Sequence, residues 1–432
     1  MKLLPSSRLL AIGIVLLVTL GICSRSITIP GGPTFLVLSG IAGLAYLLAL
    51  RELHCTAKLS RKIVVFGLAL AAVWHLLFLF MPPGADDDIH HYVWDGRLQR
   101  RGYNPYFVSP DNPAVAPLRT SETGNLNNPS FPTIYPPAAE LFFRAVSSLH
   151  ESVFAMKAAF FICAWAIIPL LFVLLRIHGR GEHWILAYAW NPLLAIEATG
   201  SGHVDIVGVL LLIMSIVALE RRWRKTAVSA LALAICVKPL PLVLLPLYWK
   251  RVRIRDAVLG MAVIAFLYGL FIDYGRIPTG ALGAFVRVFR FNDLIFSALT
   301  RIASPQIVAG IAVGVGFVTA IWFQRRSATL SSSAIAWPMA LSLLCAPVVY
   351  PWYLLWLLPF LGSVASFPLA VWSISILPTL IVWHLRLQGR PWLVPGWVML
   401  LEYGCVAAAV AWTLFRQRTG RPDLSGDSKT NR

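Results

Sequence analysis

The densest group of chemically capable side chains is the stretch GADDDIHHYVWDGRLQRRGYNPY, Gly84 to Tyr106. Three adjacent carboxylates, Asp86, Asp87 and Asp88, precede His90, His91, Tyr92 and Asp95. On a helix, Asp88, Tyr92 and Asp95 share one face at i, i+4 and i+7. Crowded carboxylates resist ionising together, so one of them can be tuned as a general base. The plainer alternative is a helix N-terminus whose acids offset the helix dipole. Asp86, Asp88, His90 and His91 also make a loose divalent-metal set. Adjacent histidines point different ways on a helix and poorly share one ion, so neither a metal nor another cofactor is expected.

Five further motifs carry ionisable or aromatic groups. In NPLLAIEATGSGHVD, the side chains of Glu197, His203 and Asp205 surround a Gly-Ser-Gly turn. Ionisable groups at membrane-helix ends are functional candidates, the alternative being a solvated turn. Lys238 stands at the helix-breaking Lys238-Pro239-Leu240-Pro241, where it can snorkel to water or bind a lipid phosphate. RVFRFND places Arg287 and Arg290 on the side of the membrane where basic residues are scarce, which suits an anionic headgroup as well as a surface anchor. In PTIYPPAAELFFRA, Tyr135-Pro136-Pro137 sets a turn before an amphipathic helix, with Glu140 and Arg144 paired at i, i+4. PVVYPWYLLW, Pro347 to Trp356, reads as an aromatic interface belt.

These groups need a membrane scaffold. The 432 residues are 58% hydrophobic and 13% charged, which excludes a soluble enzyme and a disordered chain. Apolar runs recur from Leu9–Ser24 to Val394–Phe415, so the expected fold is all-α, a polytopic helical membrane protein of about 12 transmembrane helices (roughly 10–13). The net charge of +18 collects in basic clusters that this map places on the cytoplasmic side together with both termini. It therefore points to a membrane and not to nucleic acid. The six cysteines form no C-x-x-C pair, so no disulfide framework or zinc site is expected. Thr226–Trp249 lies between two basic clusters and is too short to cross twice, which predicts a re-entrant hairpin of two short helices. Two polar segments, 82–152 and 275–293, fall outside, the first with short helices of its own. One of these should run from a cap at Asp86 or Asp87 to about Arg101 and end at Gly102. Residues 1–420 are read as one domain and 421–432 as a disordered cytoplasmic tail.

The ordered set "DDIHHYVWDG…GYNPY", "YPP", "NPLLAIE…SGHVD", "KPLPLVLLP", "FRFND" and "PWYLLWLLPFL" resembles the GT-C superfamily of membrane glycosyltransferases. It is most similar to the glycosyltransferase family 87 type, the polyprenol-phosphate-mannose-dependent mannosyltransferases. The resemblance spans about Asp86 to Leu361. It implies a GT-C-like fold and an acid in the first large external loop as general base. Asp88 is the best positional match and Asp87 the second; His91 stands where relatives often carry an arginine. The implied reaction moves a hexose, mannose first, from a polyprenyl-phosphate donor to a hydroxyl of a lipid or glycan acceptor on the outer face of the inner membrane. Direct displacement inverts the anomeric centre through an oxocarbenium-like transition state. Lys238, Arg287 and Arg290, with His203 and Tyr135 as weaker candidates, are assigned to the donor phosphate. Glu197, Asp205, Tyr92, Asp95 and His91 are assigned to sugar or acceptor. A transporter or flippase of lipid-linked sugars is the rival from another class; its polar groups should lie near mid-membrane in repeated halves. An O-antigen ligase or polymerase differs only in its donor.

Overall fold

The computed structural model describes residues 5–26, 30–84, 88–124, 126–326 and 329–419. Asp86, the second-ranked base Asp87 and the tail 421–432 lie outside the described residues. The protein is an all-α polytopic membrane protein, and among the described residues its only β contacts are two isolated bridges, Asp273–Arg276 and Phe291–Val348.

Among the described residues, seven helices are long and apolar enough to cross a membrane. Four lie early in the chain: α1 (Pro5–Arg25), α2 (Pro33–Cys55), α3 (Arg61–Phe80) and, after the polar segment, α6 (Val153–Ile177). Three lie late: Pro305–Arg326, Val364–Leu387 and Gly396–Arg418. Leu194–Ser201 and Asp205–Glu220, bent by 120°, make an eighth if they form one span. The other apolar runs fold into pieces shorter than the sequence suggests. Proline is the physical reason, because it removes a backbone donor and clashes with the preceding turn. Pro351 and Pro359 turn the run Pro351–Phe360 into a 3-10 helix. The segment at Lys238 breaks as expected: one helix runs Arg224–Ile235 and a 3-10 turn resumes at Leu240–Leu244.

The polar segment between α3 and α6 is a built module. It holds α4 (Asp88–Arg100) and α5 (Pro137–Leu149), which pack on each other. α4 starts at Asp88 and ends as expected, with Gly102 at φ 83° and the Tyr103 N–H on the Leu98 carbonyl at 3.0 Å. Trp94, Leu98, Val115 and Leu126 form a small separate core on its outer side. Arg97 is buried and ties the module together, donating to Glu151 Oε1 at 2.6 Å, the Leu118 carbonyl at 2.7 Å and Thr123 Oγ1 at 3.0 Å. Lys157, in the apolar wall of α6, donates from Nζ to the Phe78 carbonyl at 3.0 Å and to the Met81 carbonyl. A cation on those last carbonyls fixes the exit of α3, and with it the approach to Asp88.

Candidate active site

α4 presents Asp88, His91 and Asp95 to a cavity of about 960 Å³. Tyr135 shares that wall and donates to Asp88 Oδ2 at 3.2 Å. Tyr135 is itself held by Tyr106, whose hydroxyl donates to the Tyr135 carbonyl at 2.7 Å. Burial raises the Asp88 carboxyl above the usual carboxylate range, although Lys238, His91 and the Tyr135 hydroxyl pull it down. A raised carboxylate is a better proton acceptor near neutral pH.

Behind Asp88 lies His203, with Nδ1 3.9 Å from Asp88 Oδ2 and Nε2 3.1 Å from Glu197 Oε2. Its ring stacks on Trp352 at 3.9 Å and 8°. Lys238 reaches the cavity with Nζ 2.7 Å from Asp205 Oδ2 and 4.2 Å from the centroid of the Tyr353 ring. Trp356 Nε1 donates to the other carboxylate oxygen of Asp205 at 2.8 Å. Gly208 permits this, since a Cβ there would stand 2.2 Å from the Trp356 ring.

A second acid pair lies farther along α4. Asp95 and Glu140 are both buried, and Glu140 accepts from Thr133 Oγ1 at 2.6 Å and from Gln99 Nε2 at 2.8 Å. Burial pushes Asp95 up to about 7. Glu140 rises well above its ordinary value, through burial first and then the Asp95 charge. The expected Glu140–Arg144 pair does not form: Glu140 faces inward against α4, while Arg144 is exposed.

The opposite wall is aromatic and cationic. It includes Phe285, Phe289, Arg290, Tyr350, Trp383, Arg386 and Trp392. The Arg386 guanidinium sits 5.2 Å over the Trp392 ring. Neither Arg386 nor the aromatics Tyr350 to Trp356 were marked as site residues by the sequence. The belt expected at Pro347 to Trp356 is instead inside the protein, supporting Asp205 and His203. Arg386 carried a usable signal, because it is another arginine on the side of the map poor in basic residues. For Lys157 the signal was a charge inside an apolar run.

The structure thus brings Asp88, His91, Asp95, Tyr135, Lys238 and Arg290 to one cavity and leaves the other described candidates off its wall. Arg287 is exposed, donates to the Gly283 carbonyl at 3.2 Å and is absent from the cavity wall. Glu197 and Asp205 are fully buried and off the cavity wall, Glu197 beside His203 at 3.1 Å and Asp205 accepting from Lys238 at 2.7 Å. His203 is 1% exposed and stands behind the wall, not on it. Tyr92 is buried among Tyr135, Phe143 and Phe160 and supports the wall from within.

A family profile described as "Alpha-(1->6)-mannopyranosyltransferase, N-terminal domain" matches residues 20–252, more than half of the chain. Alpha-(1->6)-mannopyranosyltransferase A of Mycobacterium tuberculosis (strain ATCC 25618 / H37Rv) is 25% identical over 409 residues, covering 83% of this chain and 76% of that relative. No solved structure matches the chain. The matched region carries Asp88, Tyr135, Glu197, His203, Asp205 and Lys238. The chain belongs to the alpha-(1->6)-mannopyranosyltransferase family, and it is a membrane mannosyltransferase.

Proposed function

We propose that the protein transfers mannose from a polyprenyl-phosphate donor to a hydroxyl of a lipid-linked or glycan acceptor, with Asp88 as general base and inversion at the anomeric carbon. The observation that carries this reading is one cavity with a tuned carboxylate on one wall and cations among aromatics on the other. The name of the mycobacterial relative adds the acceptor position, a 6-hydroxyl, and the bond formed, α. Inversion makes that bond from a β-linked donor phosphate.

The parts have separate tasks. Asp88 takes the acceptor proton as its oxygen attacks the anomeric carbon, and Tyr135 orients the carboxylate. His203, fixed by Glu197 and by stacking on Trp352, backs Asp88 from inside the protein. The departing phosphate gains charge and needs cations; Lys238, Arg290 and Arg386 supply them. Asp205 and Trp356 aim Lys238. The aromatics between Arg290 and Arg386 suit the apolar part of the donor next to its phosphate. The polar end of the cavity, at His91 and Asp95, receives the acceptor sugar. The reaction is placed on the outer face of the inner membrane, with both termini inside, in a single domain spanning 1–420.

The test is transfer of labelled mannose from polyprenyl-phosphate-mannose by the purified protein in detergent, wild type beside Asp88→Asn. Loss of a general base lowers kcat by about 10²- to 10⁴-fold. Full activity in Asp88→Asn removes Asp88 as the base. No transfer by wild type removes the donor.

A further inference from the structure

Glu402 lies in the helix Gly396–Arg418 and is fully buried. A carboxylate inside a membrane helix is costly, and such residues persist where they hold a functional group. Glu402 accepts three N–H contacts. Asn292 Nδ2 lies 3.1 Å from Oε1 and 2.9 Å from Oε2, and Trp372 Nε1 lies 2.7 Å from Oε1. The pattern is acceptor-only, so a glutamine would set its amide against the Asn292 amide. The neighbouring Tyr403 hydroxyl donates to the Asn292 carbonyl at 2.8 Å. Asn292 itself is buried and left-handed, at φ 51°. A residue held in that conformation inside a protein is over-determined by its surroundings.

Asn292 belongs to the motif Phe289-Arg290-Phe291-Asn292-Asp293, and its neighbours are stapled from the other side. The Phe291 N–H donates to the Pro347 carbonyl at 3.3 Å, and the Val349 N–H donates to the Phe291 carbonyl at 2.9 Å. The Phe291 ring packs behind three cavity aromatics, Tyr350 at 4.4 Å, Trp383 at 5.7 Å and Trp392 at 5.9 Å. Next in the chain, Arg290 faces the cavity with Nη1 on the Phe289 carbonyl at 2.6 Å and Nε 3.8 Å from Asp293 Oδ2. Arg290 also donates to the Val286 and Arg287 carbonyls at 3.1 and 3.2 Å and sits 4.7 Å over the Phe296 ring, so the loop clamped between Glu402 and the Pro347–Val349 backbone is the support on its C-terminal side.

We infer that Glu402 is a positioning residue that acts through Asn292 to hold Arg290 and the aromatic wall against the sugar donor. The inference rests on the proposed donor phosphate site. Glu402 touches no substrate; it sets the loop that does.

The experiment uses the full-length protein in detergent and two readouts. In hydrogen–deuterium exchange, Glu402→Ala accelerates exchange in the peptide covering 287–293, while α4 and α5 stay as protected as in wild type. In transfer assays with polyprenyl-phosphate-mannose, Glu402→Ala raises the donor KM about tenfold, with kcat and acceptor KM within about twofold of wild type. A merely structural loss lowers kcat and protein yield together and does not single out the donor. The pair Asn292→Asp with Glu402→Gln reverses donor and acceptor while keeping one negative charge. It restores the donor KM to within about threefold, whereas Asn292→Asp alone sets two carboxylates face to face and is the worst variant. Unchanged exchange at 287–293 in Glu402→Ala overturns the inference, and so does a loosened loop with an unchanged donor KM. If wild type transfers nothing from this donor, the proposed donor fails, and the exchange result alone still decides whether the clamp exists.

Discussion

The Asp95–Glu140 pair makes stability depend on pH in a direction opposite to that of an ordinary ion pair. Asp95 is 4% exposed, and burial moves it from an ordinary 3.8 to about 7. No lysine or arginine forms an ion pair with either acid among the described residues. A group with a raised folded pKa binds more protons folded than unfolded. Its stabilisation is complete below about 4 and is lost as pH rises to about 7. At 1.36 kcal/mol per unit, that window is worth about 4 kcal/mol at most. The perturbation is Asp95→Asn, which keeps the shape and a carbonyl acceptor toward Thr133 and Glu140 while removing the ionisation. In detergent, the apparent Tm of wild type should fall between pH 4 and pH 7, by on the order of 5 °C for this energy. The Asp95→Asn curve should be flatter and cross above it near neutral pH. A wild-type curve that is level across this window, or two parallel curves, refutes the claim that Asp95 titrates there.

Three other outcomes follow from the same geometry. Gly208→Ala puts a Cβ 2.2 Å from the Trp356 ring, so the indole must leave Asp205. The expected cost is about 1–3 kcal/mol of stability, with a raised donor KM as Lys238 loses its aim, read by thermal unfolding beside transfer kinetics. Arg386→Gln should raise the donor KM about tenfold and leave the acceptor KM unchanged, whereas Arg287→Gln, off the cavity, should change neither. Because burial raises Asp88, kcat/KM should climb with pH through a midpoint above the usual carboxylate value. Tyr135→Phe removes a bond that lowers Asp88, so the same limb should move to higher pH. A limb that stays in place removes Tyr135 from the base.

What was legible in the sequence was local. The acids and Gly102 announced α4, because capping and termination depend on neighbours within one turn. Lys238-Pro239-Leu240-Pro241 announced a break, because proline acts on its own backbone. Ionisable side chains in otherwise apolar surroundings pointed to the Asp86–Asp88 cluster, Lys238 and Arg290, and the family resemblance singled out Asp88 and added Tyr135. Facing direction was not legible. Glu197 and Asp205 carried the same signal as Asp88, yet they point at His203 and Lys238, partners set by a bend of 120° that no spacing rule contains. Trp352 and Trp356 looked like a belt because aromatic runs near apolar segments usually are one. Here they are inside because prolines at 351 and 359 wind that stretch as a 3-10 helix, which turns both rings toward the kink.

The two walls of the cavity come from different parts of the chain. The region matching the family profile, 20–252, supplies Asp88, His91, Asp95, Tyr135 and Lys238, the proposed proton acceptor, the polar end and one cation. Arg290, Tyr350, Trp352, Arg386 and Trp392 all lie beyond it. If the reaction is inversion at a sugar phosphate, the first set meets groups common to every substrate pair: a hydroxyl, an anomeric carbon and a phosphate. The second set meets what varies, the lipid that carries the phosphate. Exchanging segment 282–293 together with 383–393 for the corresponding stretches of the mycobacterial relative should therefore alter preference among polyprenyl chains with kcat on the best donor nearly kept. A swap that abolishes transfer from every donor, in a protein that still folds, would place part of the chemistry on the second wall.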